Sequence, residues 1–262
     1  MQSLLIATRN RHKTSEIRAV LGPEFHLLTL EDFPPAPVIV EDAGSFAGNA
    51  RKKAVELAAW LASRLPVPEF ARITPGSDGI FVVADDSGLE VDALGGAPGI
   101  HSARFAALDA GGLGNSPDAA NNAKLLRLLA GVPIEKRAAR FRCVIALTPV
   151  PDSSPEAKSV QAPRESHAIP HSHPPPTPAR LDALVSRLHS STRLFEGVCE
   201  GRIGYAPSGQ VGFGYDPLFI PTGHDQTFAE LGEFIKNRIS HRARALALLK
   251  QYLAFTPQTL GG

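Results

Sequence analysis

The chain has little cysteine, no surplus of either charge and no long apolar run. Its two cysteines, Cys143 and Cys199, cannot build a disulfide framework, and their spacing matches no zinc pattern. Both lie in apolar or alternating segments, which fits a reducing cytoplasm. With 27 basic against 26 acidic residues, the net charge is +1, so the broad positive field of a duplex-binding protein is missing and no nucleic-acid partner is expected. No apolar run approaches the roughly 20 residues needed to cross a bilayer. No charged segment leads into an apolar h-region, so a soluble, unexported protein without a membrane partner is expected. His167, His171 and His173 have no acidic or cysteine companion in their proline-rich setting, and they read as solvated side chains.

What is present is an alternation of strand and helix signals over 262 residues that are 43% hydrophobic, enough for a substantial core in one two-lobed domain. Ser3 to Ala7 is a short buried strand. It runs into Thr8-Arg-Asn-Arg-His-Lys13, and Ile17, Val20 and Leu21 then recur at helical spacing until Gly22-Pro23. A strand-to-helix junction of this kind presents free N–H groups and the positive end of a helix dipole, and Lys13 adds a point charge. It is neither a G-x-x-x-x-G-K-[ST] loop nor a G-x-G-x-x-G fingerprint.

Further along, His26 to Leu30 reads as a second strand. Phe46, Ala50, Ala54, Leu57, Leu61 and Leu65 form one stripe of a long helix, with Ser45 as N-cap. Ile80 to Ala84 reads as a central strand ending in Asp85-Asp86-Ser87-Gly88, with a possible return over Gly88 to Leu94. Ser116-Pro117-Asp118 starts a helix with Ser116 as cap, and Gly131 stops it. Arg140 to Leu147 and Leu194 to Tyr205 read as strands, and Ser240 to Leu253 as the terminal helix. Between them, Pro149 to about Pro178 is a Pro/Ser/His-rich run of about 30 residues without apolar period, which points to a mobile insertion. The insertion as a whole is placed at about 149–193, with a short helix on Leu181, Leu184, Val185 and Leu188 at its far end.

Four groups can carry chemistry. The first is the cradle at 8–13. The second is Asp85-Asp86-Ser87-Gly88, where an Asx-type turn competes with a functional reading; with Glu41 added, paired carboxylates suit Mg²⁺ and one of them can take a proton from water. The third is Phe213-Gly-Tyr-Asp-Pro217, an aromatic ring able to stack on a base beside an acid. The fourth is Ser240-His-Arg242 at a helix start.

In this order the four groups resemble the inosine triphosphate pyrophosphatase family, the Ham1-like non-canonical purine NTP pyrophosphatases. Further resembling stretches are Glu41 to Lys53, Ala84 to Leu89, Leu94-Gly-Gly-Ala-Pro-Gly99 with Ser102-Ala-Arg104, and Ile239 to Arg242. Arg9 departs from the glycine common in bacterial members. The resemblance implies an α/β fold, a long twisted mixed sheet with flanking helices and two lobes around a nucleotide cleft, and a homodimer. It implies Asp86 as general base and Mg²⁺ ligand and Glu41 as a second metal ligand. Thr8, Asn10, Lys13, Lys53 and Ser87 would contact the triphosphate, with Arg9, Arg11 and His12 as further substrate-binding residues. Phe213, Gly214, Tyr215, Asp216, Lys236, His241 and Arg242 would surround the base. The implied reaction is hydrolysis of ITP, dITP and XTP to monophosphate and pyrophosphate. Two alternatives stand beside it, a Maf-like pyrophosphatase acting on other nucleotides and a non-catalytic nucleotide-binding module.

Overall fold

The computed structural model describes residues 1–34, 36–64, 79–112, 114–151 and 178–255. Six strands form one sheet in the order β2-β1-β3-β4-β5-β6: β1 (Ser3–Ile6), β2 (His26–Thr29), β3 (Ile80–Val91), β4 (Ala138–Val150), β5 (Arg193–Ile203) and β6 (Phe219–Pro221). β1 runs parallel to β2 and to β3, and the remaining pairings are antiparallel. This is the mixed α/β sheet expected.

The helices are α1 (Arg11–Leu21), α2 (Phe46–Ala62), α3 (Asp118–Leu128), α4 (Pro178–Ser191), α5 (Phe228–Ile239) and α6 (His241–Phe255). The stripe on α2 is buried as its spacing requires through Leu61: Ala50, Ala54 and Leu61 are fully buried and pack with Leu5, Val82 and Ala84, while Leu65 lies outside the described residues. Each leucine buried there contributes about 1.5–3 kcal/mol. Ser45 caps α2, its Oγ accepting the Gly48 N–H at 3.0 Å. On the opposite face, Ile17 and Leu21 of α1 pack with Leu246 and Leu249 of α6 against Ile6, Val83 and Ile145. A third cluster lies beyond these, where Leu89, Val91, Phe141 and Ile203 meet Leu125 of α3 and Phe228 of α5.

Several boundaries differ from the sequence reading. β3 does not end at Ala84. It pairs with β4 through all twelve residues to Val91, so Asp85 to Gly88 is mid-strand backbone and not an Asx turn. β1 pairs only with Ile80 to Val83, and β3 gains a free edge where β1 turns into α1. The acids therefore sit beyond the carboxyl end of β1, the usual place for a ligand in such sheets. Gly88 is in the strand because of close approach: a Cβ there would overlap Gly99 O and Ser102 Oγ.

Helix α1 starts at Arg11, earlier than the apolar period suggests, because Asn10 Oδ1 accepts the His12 and Lys13 N–H groups at 3.0 and 3.2 Å. Ser116 does not cap α3. Its Oγ accepts the Ala107 N–H at 2.8 Å, and Asp118 Oδ2 accepts the Gly214 N–H at 2.7 Å. Helix α5 is missing from the elements read above. Thr227 and Glu230 form its capping box, yet Gly232 at φ 77° interrupts its period. Of the expected insertion, Val150 belongs to β4 and α4 occupies the far end, where the leucine spacing put a helix; residues 152–177 lie outside the described residues.

Candidate active site

Strand alternation separates the two aspartates. Asp85 points to the α1/α6 face and Asp86 to the α2 face. Asp85 is fully buried and accepts from five groups. Arg242 Nε and Cys143 Sγ reach Oδ2 at 3.0 Å each, Ser87 Oγ reaches Oδ1 at 3.1 Å, Arg242 Nη2 lies 3.4 Å from Oδ1, and Lys13 Nζ pairs with Oδ1. Burial raises its pKa, but Arg242 and Lys13 overcome that and hold the carboxyl well below the usual range. Burial pushes the Cys143 thiol up, so it stays protonated and able to donate.

Asp86 is set differently. Its Oδ2 accepts from Asn49 Nδ2 at 3.1 Å and its Oδ1 lies 3.2 Å from Lys53 Nζ. The same ammonium donates to Glu41 Oε1 at 2.8 Å and to the Asp85 carbonyl at 2.5 Å. Burial raises the Asp86 pKa, Lys53 and Lys13 lower it, and Glu41 raises it again; the net is upward. The acidic pair of this site is thus Glu41 with Asp86, bridged by Lys53. The adjacent Asp85 and Asp86 cannot serve as that pair because the sheet lies between them.

Two adjoining cavities meet at Asn10, Lys13 and Ala103. The larger, about 470 Å³, is lined by Thr8, Arg9, Asn10, Lys13, Glu41, Lys53 and Asp85, with Arg104 and Asn115 on a further wall. The smaller, about 120 Å³, is lined by Ser87, Phe213, Tyr215, Asp216, Lys236 and His241. Phe213 stacks on His12, with ring centroids 5.2 Å apart, and Lys236 Nζ lies 4.4 Å from the Phe213 centroid. His241 is buried and stacks on Phe141 at 4.7 Å, and its Nδ1 has no partner. Burial, then Arg242 and Lys236, push its pKa well down, so the imidazole is neutral.

Most residues expected at the site line these cavities, but Asp86 lines neither and reaches the larger one only through its contact with Lys53, His12 lines a neighbouring cavity beside Phe213, and three others differ from expectation. Arg11 turns away into an open groove with Arg18 and Glu31, its guanidinium 3.5 Å from Glu31. Arg242 reaches the smaller cavity, but Nε, Nη1 and Nη2 already serve Asp85, Glu16 and Ser87, so it is a framework cation and not a free donor to a base. Ser87 shares the Asp85 face and donates to that carboxylate. Glu16 was missed. It joins Arg242 to Lys236, whose Nζ lies 2.7 Å from Glu16 Oε1 and 2.5 Å from Asp216 Oδ2. Its position, one helical turn after Lys13, was the available signal.

The donor set near Asp86 suits a hard divalent cation. Glu41 and Asp86 offer oxygen only, and they already flank a cation, the Lys53 ammonium. Among the described residues no group of three or more His, Cys, Asp or Glu could hold a metal, so phosphate oxygens and waters would have to complete the shell, as Mg²⁺ prefers.

Fold and cleft together define an α/β protein with a two-part site, one part ring-walled and the other lined by acids and lysines. A model of the Ham1 family matches residues 4–165 and 176–252, and the chain belongs to that family. A dITP/XTP pyrophosphatase of Shouchella clausii (strain KSM-K16) is 38% identical over 251 residues, covering 96% of each chain. One from Geobacter sulfurreducens (strain ATCC 51573 / DSM 12127 / PCA) is 40% identical over 256 residues, covering 97% of this chain and 98% of its own. The solved structure of a HAM1 protein from Coxiella burnetii matches with TM-score 0.65 and 30% identity, covering 98% of this chain and all of the other.

Proposed function

We propose that the protein is a Mg²⁺-dependent pyrophosphatase of non-canonical purine nucleoside triphosphates, cleaving dITP, ITP and XTP to the monophosphate and pyrophosphate. The observation that carries this reading is the junction at Asn10 and Lys13, where a ring-walled cavity opens into one containing Glu41 and Lys53. A nucleotide spans such a junction with its base on one side and its phosphates on the other. The relatives above are dITP/XTP pyrophosphatases, which supports dITP and XTP as substrates.

Asp86 is the group suited to take a proton from a water attacking the α-phosphorus. Its raised pKa brings it nearer neutrality, where a general base is most effective, and Asn49 fixes its orientation. Mg²⁺ held by Glu41 and Asp86 would neutralise charge on the phosphate oxygens. Lys53 stays charged, because Asp86 and Glu41 outweigh the effect of its burial, and it sets the spacing of the two acids. Lys13, half in each cavity, supplies positive charge where base and phosphate parts meet.

The neutral His241 and the Phe213 to Asp216 loop face the base. Hypoxanthine and xanthine carry a 6-oxo acceptor where adenine carries an amino donor, and a site of buried hydrogen bonds discriminates between such rings by about 10⁴ or more. Homodimer assembly rests on the family resemblance, and cytoplasmic residence on the cysteine usage. Turnover in ¹⁸O-labelled water tests the chemistry: label in the monophosphate supports attack at the α-phosphorus, and label in pyrophosphate would refute it.

A further inference from the structure

Of the cationic side chains lining the larger cavity, two are already balanced by carboxylates. Lys13 pairs with Asp85, and Lys53 bridges Glu41 and Asp86. Arg9 spends its guanidinium on backbone, donating to Ala36 O at 2.7 Å and lying 3.4 Å from Pro37 O. Arg104 makes no hydrogen bond or ion pair among the described residues, although it lines the same cavity.

Its backbone is tightly held. Ser102 Oγ accepts the Leu89 N–H at 2.9 Å and donates to Gly99 O at 2.6 Å. Tyr215 OH donates to Ser102 O at 2.9 Å. Ala103 O accepts the Ser116 N–H at 2.9 Å and Asn121 Nδ2 at 3.3 Å. A free guanidinium on a pinned backbone is preorganised to receive an anion without reorganising the protein.

We propose that Arg104 is a substrate-positioning residue that grips the two terminal phosphates, the part that leaves as pyrophosphate. This rests on the pyrophosphatase reading and deepens it. Arg104 lines only the larger cavity and is not among the residues that the two cavities share, which puts it on the distal phosphates and not on the base side. Its planar fork of donors matches phosphate oxygens in pairs.

The test is inhibition of dITP turnover, in Mg²⁺, by inorganic pyrophosphate and separately by dIMP. In Arg104→Ala, pyrophosphate inhibition should weaken about tenfold or more and KM for dITP should rise, while dIMP inhibition stays within about twofold. Arg104→Lys keeps the charge without the fork and should fall between, and it carries the test if the alanine variant does not fold. Equal weakening for both inhibitors would make Arg104 merely structural, and no change for pyrophosphate would remove it from the site; either overturns the proposal. Absence of pyrophosphate release by the wild-type protein would instead overturn the pyrophosphatase reading itself.

Discussion

Asp85 and Asp86 are neighbours in the chain and opposites in the fold: one accepts from Arg242 and Cys143 on the α1/α6 face, the other from Asn49 on the α2 face. The first is a buried anchor for cations, and the second, whose pKa is raised, is the group proposed as the base. Asp85→Asn leaves Arg242 under-compensated in the interior and should cost about 3–5 kcal/mol in urea unfolding. Asp86→Asn removes a charge that burial already disfavours, so stability should stay within about 1 kcal/mol while kcat falls about 10²–10⁴-fold. A fully active Asp86→Asn enzyme would remove Asp86 from the chemistry.

The pH profile should report the same group. On the proposed mechanism Asp86 must be ionised, so kcat/KM should rise with pH from the acid side and then level. Glu41 is a like charge that raises the Asp86 pKa. Glu41→Gln should therefore move the acid limb to lower pH while raising the Mg²⁺ needed for half-maximal rate. A limb that stays in place would show that another group sets it.

Stability should fall in two stages on acidification. Unfolded His241 takes a proton near 6.5, whereas in the fold burial first, and then Arg242 and Lys236, keep it neutral, so stability starts to fall as pH drops below that value. Asp85 and Glu16 act in the same direction at lower pH. Burial raises both, but paired cations hold them below their unfolded values of 3.8 and 4.5, so their contribution is present above those values and is lost as pH falls toward the folded pKa. Urea midpoints measured from pH 8 down to about 2 should show His241→Phe flattening the first stage only.

Gly88 tests the packing behind the site. A methyl there would drive into Gly99 O and Ser102 Oγ, displacing the segment that carries Arg104. Gly88→Ala should lose about 1–3 kcal/mol in thermal unfolding and raise KM for dITP. An unchanged KM would separate that segment from substrate binding.

Much of this was legible from local rules. Ser45 announced α2, the β-branched run at 80–84 announced the central strand, and the apolar stripe on α2 is the core it predicted. The polar clusters announced the cleft, and their order resembled the family to which the chain belongs. What local rules could not supply was the long-range pairing. Two acids and a glycine read as the end of a strand, because the hydrogen bonds that carry β3 through them come from β4, whose register is set some sixty residues later. For the same reason Glu16 was given no role: its partners Lys236 and Arg242 lie more than two hundred residues away.

The most direct test is pyrophosphate release by the purified protein from dITP, ITP, XTP, dATP, GTP and dTTP, with Mg²⁺ and with chelator. The account predicts rapid release from the first three only, abolished by chelator. Equal turnover of all six, dominance of dTTP, or silence across the panel would contradict it.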